Sequence, residues 1–173
     1  SGCLLVALNS RVLKELQAQF KAKTVNKHYL ALVHGEWPDS VTEVTAALRR
    51  NEVVGGERVV RVADDGKPAR TRFRVLQRFP GASLIEAAPE TGRTHQIRVH
   101  CQYVGHPLVG DDKYAEARFR DPRIDSIASS RQLCLHASRL GFRDPVTNSP
   151  MEIAAPLDER FAGLLDRISN NSL

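Results

Sequence analysis

The sequence predicts an α+β domain with a largely antiparallel sheet and flanking helices. A succession of runs with period-2 hydrophobicity lies between Tyr29 and Ala88 with only turn signals between them, so neighbouring strands can pair antiparallel. Helical spacing is confined to the stretches after Ser10, after Thr94 and after Asp158. The 173 residues suit one domain, and 42% hydrophobic with 26% charged content is ordinary for a globular chain, which excludes disordered and collagen-like classes.

Taken in order, Cys3–Leu8 reads as a buried strand, too short to span a membrane and without the basic flank of a signal peptide. The chain begins on this strand without a methionine, so an upstream neighbour is expected before Ser1. Ser10 is placed as the N-cap of a helix carrying Val12, Leu13, Leu16 and Phe20 at helical spacing. Strands are predicted over Tyr29–Trp37, Thr42–Leu48, Arg58–Ala63, Ala69–Phe79 and Ser83–Ala88. Their punctuation is Pro38-Asp39-Ser40, Gly55-Gly56, Asp64-Asp65-Gly66-Lys67-Pro68 and Thr91-Gly92, all turn-forming chemistry. Thr94 is placed as the cap of a helix from His95 to Val104, ended by Gly105-His106-Pro107. A hairpin follows, Leu133–Phe142 with Met151–Ala154, and then a last helix with Phe161, Leu164, Leu165 and Ile168 on one face and Asp158 serving its first turn.

Twenty-five Lys and Arg against twenty Asp and Glu leave a net charge of +5 and a pI near 9.4, which suits a polyanionic partner. Cys3, Cys101 and Cys134 are odd in number and unclustered, which argues against a secreted disulfide framework and for a reducing, cytoplasmic setting. A metal site is not expected. His95 and His100 would project about 140° apart on a helix, unlike an i, i+4 ligand pair, and there is no CxxC to join Cys101, Cys134 and His136. Phosphate-loop, dinucleotide and serine or cysteine nucleophile motifs are absent as well.

Three features carry chemistry. The run Gly92-Arg93-Thr94-His95-Gln96-Ile97-Arg98-Val99-His100 holds no acid and presents planar donors suited to phosphates, carboxylates or base edges; the plain alternative is a structural helix with surface arginines. In Arg70–Val75, Arg70, Arg72 and Arg74 alternate with Thr71, Phe73 and Val75, giving one basic and one core-forming face. The basic face can meet phosphates or simply be solvated. In Lys27–Gly35, period 2 groups Tyr29 with Ala31, Val33 and Gly35. Packing in a core is the ordinary role for such a tyrosine, and overlooking a cavity is the alternative.

These same residues carry a resemblance. K-x-Y-x-A-x-V-x-G at 27–35, G-R-T-H-Q-I-R-V-H at 92–100, G-H-P-L-x-G-D-D-K-Y at 105–114 and L-H-A at 135–137 resemble the RNA pseudouridine synthases of the RluA type. The resemblance implies the pseudouridine synthase catalytic fold with a central RNA-binding cleft over residues 1–173, and isomerisation of uridine in RNA with no cofactor. It implies a large-subunit ribosomal RNA substrate, with transfer RNA as a second candidate. It also implies that Tyr29 is a general base stacked near the uracil, that Ile97 lines the uracil pocket, and that Arg98 holds the nucleophilic aspartate. The family's aspartate stands in an H-R-L-D-x-x-T-S-G segment, of which Ser1–Ala7 matches only the tail. That aspartate, together with any upstream RNA-binding domain, is therefore expected before Ser1, and residues 1–173 alone are expected to be inactive.

Arg93 and His95, within a family motif, and Arg70, Arg72 and Arg74, by their basic face alone, are the candidate contacts to phosphates flanking a flipped uridine. The competing classes are a noncatalytic RNA-binding module and, more remotely, a hydrolase using His95 or His100. No membrane partner is expected, and the lack of a long exposed apolar stripe in the pattern favours a monomer.

Overall fold

The computed structural model describes residues 1–54, 57–128 and 132–170; the Gly55-Gly56 turn lies outside the described residues. The elements are α1 (Ser10–Ala22), β1 (Asn26–His34), β2 (Glu43–Thr45), β3 (Leu48–Val54), β4 (Glu57–Val62), β5 (Arg70–Phe79), β6 (Ala82–Pro89), α2 (Gln96–Tyr103), α3 (Pro122–Ala128), β7 (Leu135–Arg143), β8 (Pro150–Ala154) and α4 (Glu159–Asn170). Six strands form one antiparallel sheet in the order β2-β5-β6-β1-β7-β8, and β3 pairs with β4 in a separate hairpin. The sheet and its helices are the α+β architecture that the period-2 runs predict.

The pleat sends alternate residues of β1 to opposite faces, and each face has its own core. On one side Ala31 and Val33 pack with Phe73, Ile85 and Ala87 under Ile97 and Cys101 of α2, with Trp37 and Leu108 closing the layer. On the other, Leu32, Phe79 and Leu84 are covered by Ile124 of α3 and Phe161, Leu164 and Ile168 of α4. The hairpin packs Leu48 and Val60 on Ala69, Val99 and Tyr114. β1 thus runs through the middle of the molecule, and α2 lies on the face that Tyr29 shares. Among the described residues no helix is long and apolar enough to cross a membrane.

Several expectations change. The strand expected over Cys3–Leu8 does not form: only Gly2 bridges Ala137, while Leu4, Val6 and Leu8 are 85%, 65% and 92% exposed. Gly2 meets β7 at Ala137 in parallel, but from Arg139 onward that edge of β7 is taken by β8, so residues 3–8 cannot continue the bridge along it. Of these, Leu4 lines a pocket with Leu13 and Phe20 of α1, which are themselves 45% exposed. The run Thr42–Leu48 is divided between β2 and the start of β3, where the chain leaves the main sheet at Ala46 for the hairpin. The sequence pattern assigns no element between Pro107 and Leu133, yet α3 forms there. Its period is too short to read, but Pro122 suits a first helical turn and Ile124 and Ala128 are buried.

Candidate active site

One cleft, about 330 Å³, opens where β1, α2 and the chain entering β7 meet. Lys27 and Tyr29 line it from β1, Arg93, His95, Ile97 and Arg98 from the start of α2 and the turn before it, and Leu133 and Leu135 from the far wall. Tyr29 packs against the edge of the first core, so its ring has an apolar backing, and none of the described residues hydrogen-bonds its hydroxyl. Burial raises the phenol above its ordinary pKa. Ile97 is buried in the same core and reaches the cleft, so ordinary packing and pocket lining are both present in one side chain.

Arg98 is held in a buried pair. Its Nε and NH2 each donate to Asp111 at 2.7 Å, and its guanidinium carbon lies 4.7 Å from the centre of the Tyr114 ring. The Asp111 side chain is 0% exposed and also accepts from the backbone N–H groups of Lys113 and Tyr114, both at 3.1 Å. The carboxylate thus receives donors on both oxygens, which is what makes an ion pair tolerable inside a protein. Burial works against the charge on Arg98, but the Asp111 hydrogen bonds and charge outweigh it, and the guanidinium pKa is raised. The sequence reading assigned the fork of Arg98 to a carboxylate upstream of Ser1. Here the Nε–NH2 edge is already occupied by Asp111, and only NH1 has no protein partner among the described residues.

The turn that delivers Arg98 is fixed by an oriented chain of hydrogen bonds. Gln96, 4% exposed, accepts on Oε1 from the Thr91 hydroxyl at 2.7 Å and the Arg93 N–H at 2.9 Å, and its Nε2 donates to Arg70 O and Thr71 Oγ1, both at 3.0 Å. Thr71 passes its proton to His100 Nδ1 at 2.9 Å, and His100 Nε2 donates to Ala46 O at 3.1 Å. Ala46 O can only accept, so this imidazole is the neutral Nε2–H tautomer, in keeping with the downward pull of burial on its pKa. His100 therefore braces α2 against β5 and does not face the cleft.

His95 precedes α2 in the left-handed region, φ 53°, and makes no side-chain cap; Thr94 makes none either. A non-glycine residue held there stores strain, and the Gln96 clamp and a side-chain bond hold it. Tyr114 Oη accepts from Val60 N–H at 3.1 Å and shares a hydrogen bond with His95 Nδ1 at 2.8 Å. Burial, then Arg98 and Lys113, lower the His95 pKa. That shift works against the imidazolium that phosphate contact would call for. Arg93 sits on the exposed rim with Nε bonded to Pro68 O at 3.1 Å.

Arg70, Arg72 and Arg74 do not join this site. They project from the sheet face opposite Thr71 and Phe73, and each is neutralised by acid: Arg70 by Glu43 and Glu90, Arg72 by Glu90, Arg74 by Glu86. The alternation in the sequence correctly groups them on one face but gives no sign that this face is the far one, or that Glu86 on β6 and Glu90 just past its end stand beside it. The two buried thiols are not nucleophiles near neutral pH. Burial pushes Cys134 up to about 12 and Cys101 higher still.

Sequence reasoning missed Lys27, Gln96, Asp111, Tyr114, Leu133 and Leu135. All but Leu133 lie inside the motifs quoted above, and the signal available was that those patterns fix more positions than the three roles drawn from them.

A sheet of this topology, with a tyrosine and an arginine converging on an acid-free cleft, defines a class that the comparisons with known proteins identify. The family model described as RNA pseudouridylate synthase matches residues 1–103, and the chain belongs to that family. It is similar to the ribosomal large subunit pseudouridine synthase C of Vibrio vulnificus (strain CMCP6), with 50% identity over 160 residues, 92% of this chain and 49% of that protein. The protein of the same name from Escherichia coli (strain K12) is 44% identical over 170 residues, 98% of this chain and 53% of that one. The chain spans about half the length of the curated relatives it matches. Of solved structures, human RNA pseudouridylate synthase domain containing 1 has a TM-score of 0.72 at 29% identity, covering 96% of this chain and 74% of that one. Human RNA pseudouridylate synthase domain containing 4, at 23% identity and a TM-score of 0.74, shares the fold.

Proposed function

We propose that the protein isomerises uridine to pseudouridine in RNA, with large-subunit ribosomal RNA as the substrate and the cytoplasm as its setting. The observation that carries this reading is the convergence of Tyr29 of β1 with Ile97 and Arg98 of α2 on one cleft whose lining, among the described residues, holds no carboxylate. About 330 Å³ is at the small end of ligand pockets and suits a single pyrimidine. The curated relatives are named for the ribosomal large subunit, which favours that RNA over transfer RNA.

A stacked uridine hides its glycosidic bond, so the nucleotide flips into the cleft, most cheaply from a loop or bulge. The bond from N1 to C1′ breaks, the uracil turns, and C5 bonds to C1′. The proton lost from C5 is matched by one gained at N1, so the reaction needs no cofactor. Ile97, Leu133 and Leu135 give the base an apolar slot. The nucleophilic carboxylate comes from the family's H-R-L-D segment, which we place before Ser1, and the free NH1 of Arg98 pairs with it. Asp111 cannot take that part, since both of its oxygens are committed. The raised pKa brings Tyr29 to the reaction as a neutral phenol. It therefore serves as a relay, accepting the C5 proton as its own leaves, and not as a standing phenolate.

Tritium release from ribosomal RNA labelled at C5 of uridine tests the reading. The full-length protein releases tritium, residues 1–173 alone do not, and Tyr29→Phe retains RNA binding while losing at least about a hundredfold in turnover, the scale of general acid–base catalysis. Full turnover by Tyr29→Phe refutes the relay. RNA binding by the full-length protein with no release at all would make it a binding module instead.

A further inference from the structure

The charge balance around the cleft singles out one side chain that no motif-derived role uses. Lys27 precedes Tyr29 by two residues on β1, so the pleat places both on the same face. It lines the catalytic cleft, and also a groove of about 570 Å³ that runs past Arg72 and Arg74 on the far side of the sheet; Pro89 is the other residue common to the two. Lys27 therefore stands where the cleft opens into the groove. The carboxylates of that groove are taken: Glu86 by Arg74 and Arg139, Glu90 by Arg70 and Arg72. None of the described residues forms an ion pair or hydrogen bond with the Lys27 ammonium. Of the other cations at the cleft, Arg98 is matched by Asp111, and Arg93 lies on the rim.

We propose that Lys27 is an anion-binding position of the active site, and that it takes a backbone phosphate next to the flipped nucleotide. The inference rests on the RNA-modifying reading above and adds to it a contact and a path, with the strand leaving the cleft over Lys27 toward Pro89. A half-buried ammonium without a counter-charge is costly to hold, and burial does pull its pKa down. A phosphate supplies the missing charge when RNA binds. Arg70, Arg72 and Arg74, each already facing a carboxylate, gain much less from a second anion.

The experiment is equilibrium binding of an unstructured oligoribonucleotide and of a ribosomal RNA fragment to the full-length protein across a range of salt. Each phosphate contact contributes about 0.7–0.9 to the slope of log K against log salt. Lys27→Gln is expected to reduce the slope by about that amount, weaken binding several-fold at physiological salt, and change kcat by less than about threefold, with Lys27→Arg restoring the slope. Arg123→Gln, at an exposed position of α3 where the arginine pairs with Asp121, controls for a general change in net charge and leaves the slope unaltered. An unchanged slope in Lys27→Gln overturns the proposal. So does a collapse of kcat with binding retained, which would make Lys27 a partner of the reacting carboxylate. The slope is read from binding alone, so it fails or survives independently of whether tritium is released.

Discussion

Arg98 already holds one carboxylate, and this changes what substitutions near it should do. Asp111→Asn keeps the shape but replaces an acceptor oxygen with an NH2 group that faces the Arg98 donors. The guanidinium, with its side chain 17% exposed, then loses the one counter-charge that the described residues give it. Breaking a buried pair costs about 3–5 kcal/mol, and partial exposure of Arg98 puts the expectation at the lower end, about 3 kcal/mol in urea unfolding. A loss below about 1 kcal/mol would show that the pair is not what fixes Arg98. At this scale the motifs single out Tyr29, Ile97 and Arg98, which the fold brings to one cleft. Asp111 was not legible in the same way, because its task depends on a contact across 13 positions of chain that spacing does not reveal. The strand arginines show the converse limit. Period 2 states which residues share a face and is silent on which face a helix will cover.

Among the elements, boundaries followed local chemistry that can be read only approximately. The first helix was capped in the sequence reading by Ser10, yet Asn9 is the residue whose side chain accepts from Val12 N–H, at 2.9 Å, in an extended conformation. Both are good caps, and hydrophobic spacing cannot tell two adjacent candidates apart. Asn9→Ala is expected to cost about 1 kcal/mol and Ser10→Ala a few tenths, read from urea midpoints. The reverse order would move the cap. The start of α2 differs more instructively: no Ser or Thr caps it, and Gln96 reaches back to the Arg93 N–H while clamping Thr91 and Thr71. A local rule for caps fails here because the turn is shaped for the cleft, with His95 in a left-handed conformation that the clamp sustains. The missing strand at residues 3–8 has a tertiary cause, since the β7 edge that Gly2 meets is taken by β8 just beyond Ala137.

For the molecule as a whole, its packing makes stability depend on pH through imidazole rather than carboxylate. His34 and His100, 1% and 0% exposed, are both pulled below their ordinary pKa by burial, and His95 shifts the same way at the cleft. His34 accepts the Asp121 N–H on Nδ1 and so carries its proton on Nε2, while His100 carries its own on Nε2 to Ala46 O; neither can take a second proton without breaking a bond. In the unfolded chain each titrates near 6.5. Above that pH both states are neutral and the contribution is complete. Below it the unfolded chain binds protons that the fold refuses, so stability falls as pH drops, by up to about 1.4 kcal/mol per pH unit for each group. The carboxylates whose pKa is lowered, Glu43, Asp121, Asp144 and Asp158, with Asp158 near 2, lose their contribution as pH falls through and below the ordinary carboxylate range. Between pH 6.5 and 5 the imidazoles therefore act alone. Urea midpoints should decline steadily across that window, and His100→Gln should make the decline shallower whatever it does to the midpoint at pH 7.5. A midpoint that stays flat from pH 7 to 5 would mean that these buried histidines accept protons without loss, and that the hydrogen-bond chain bracing α2 is looser than its geometry.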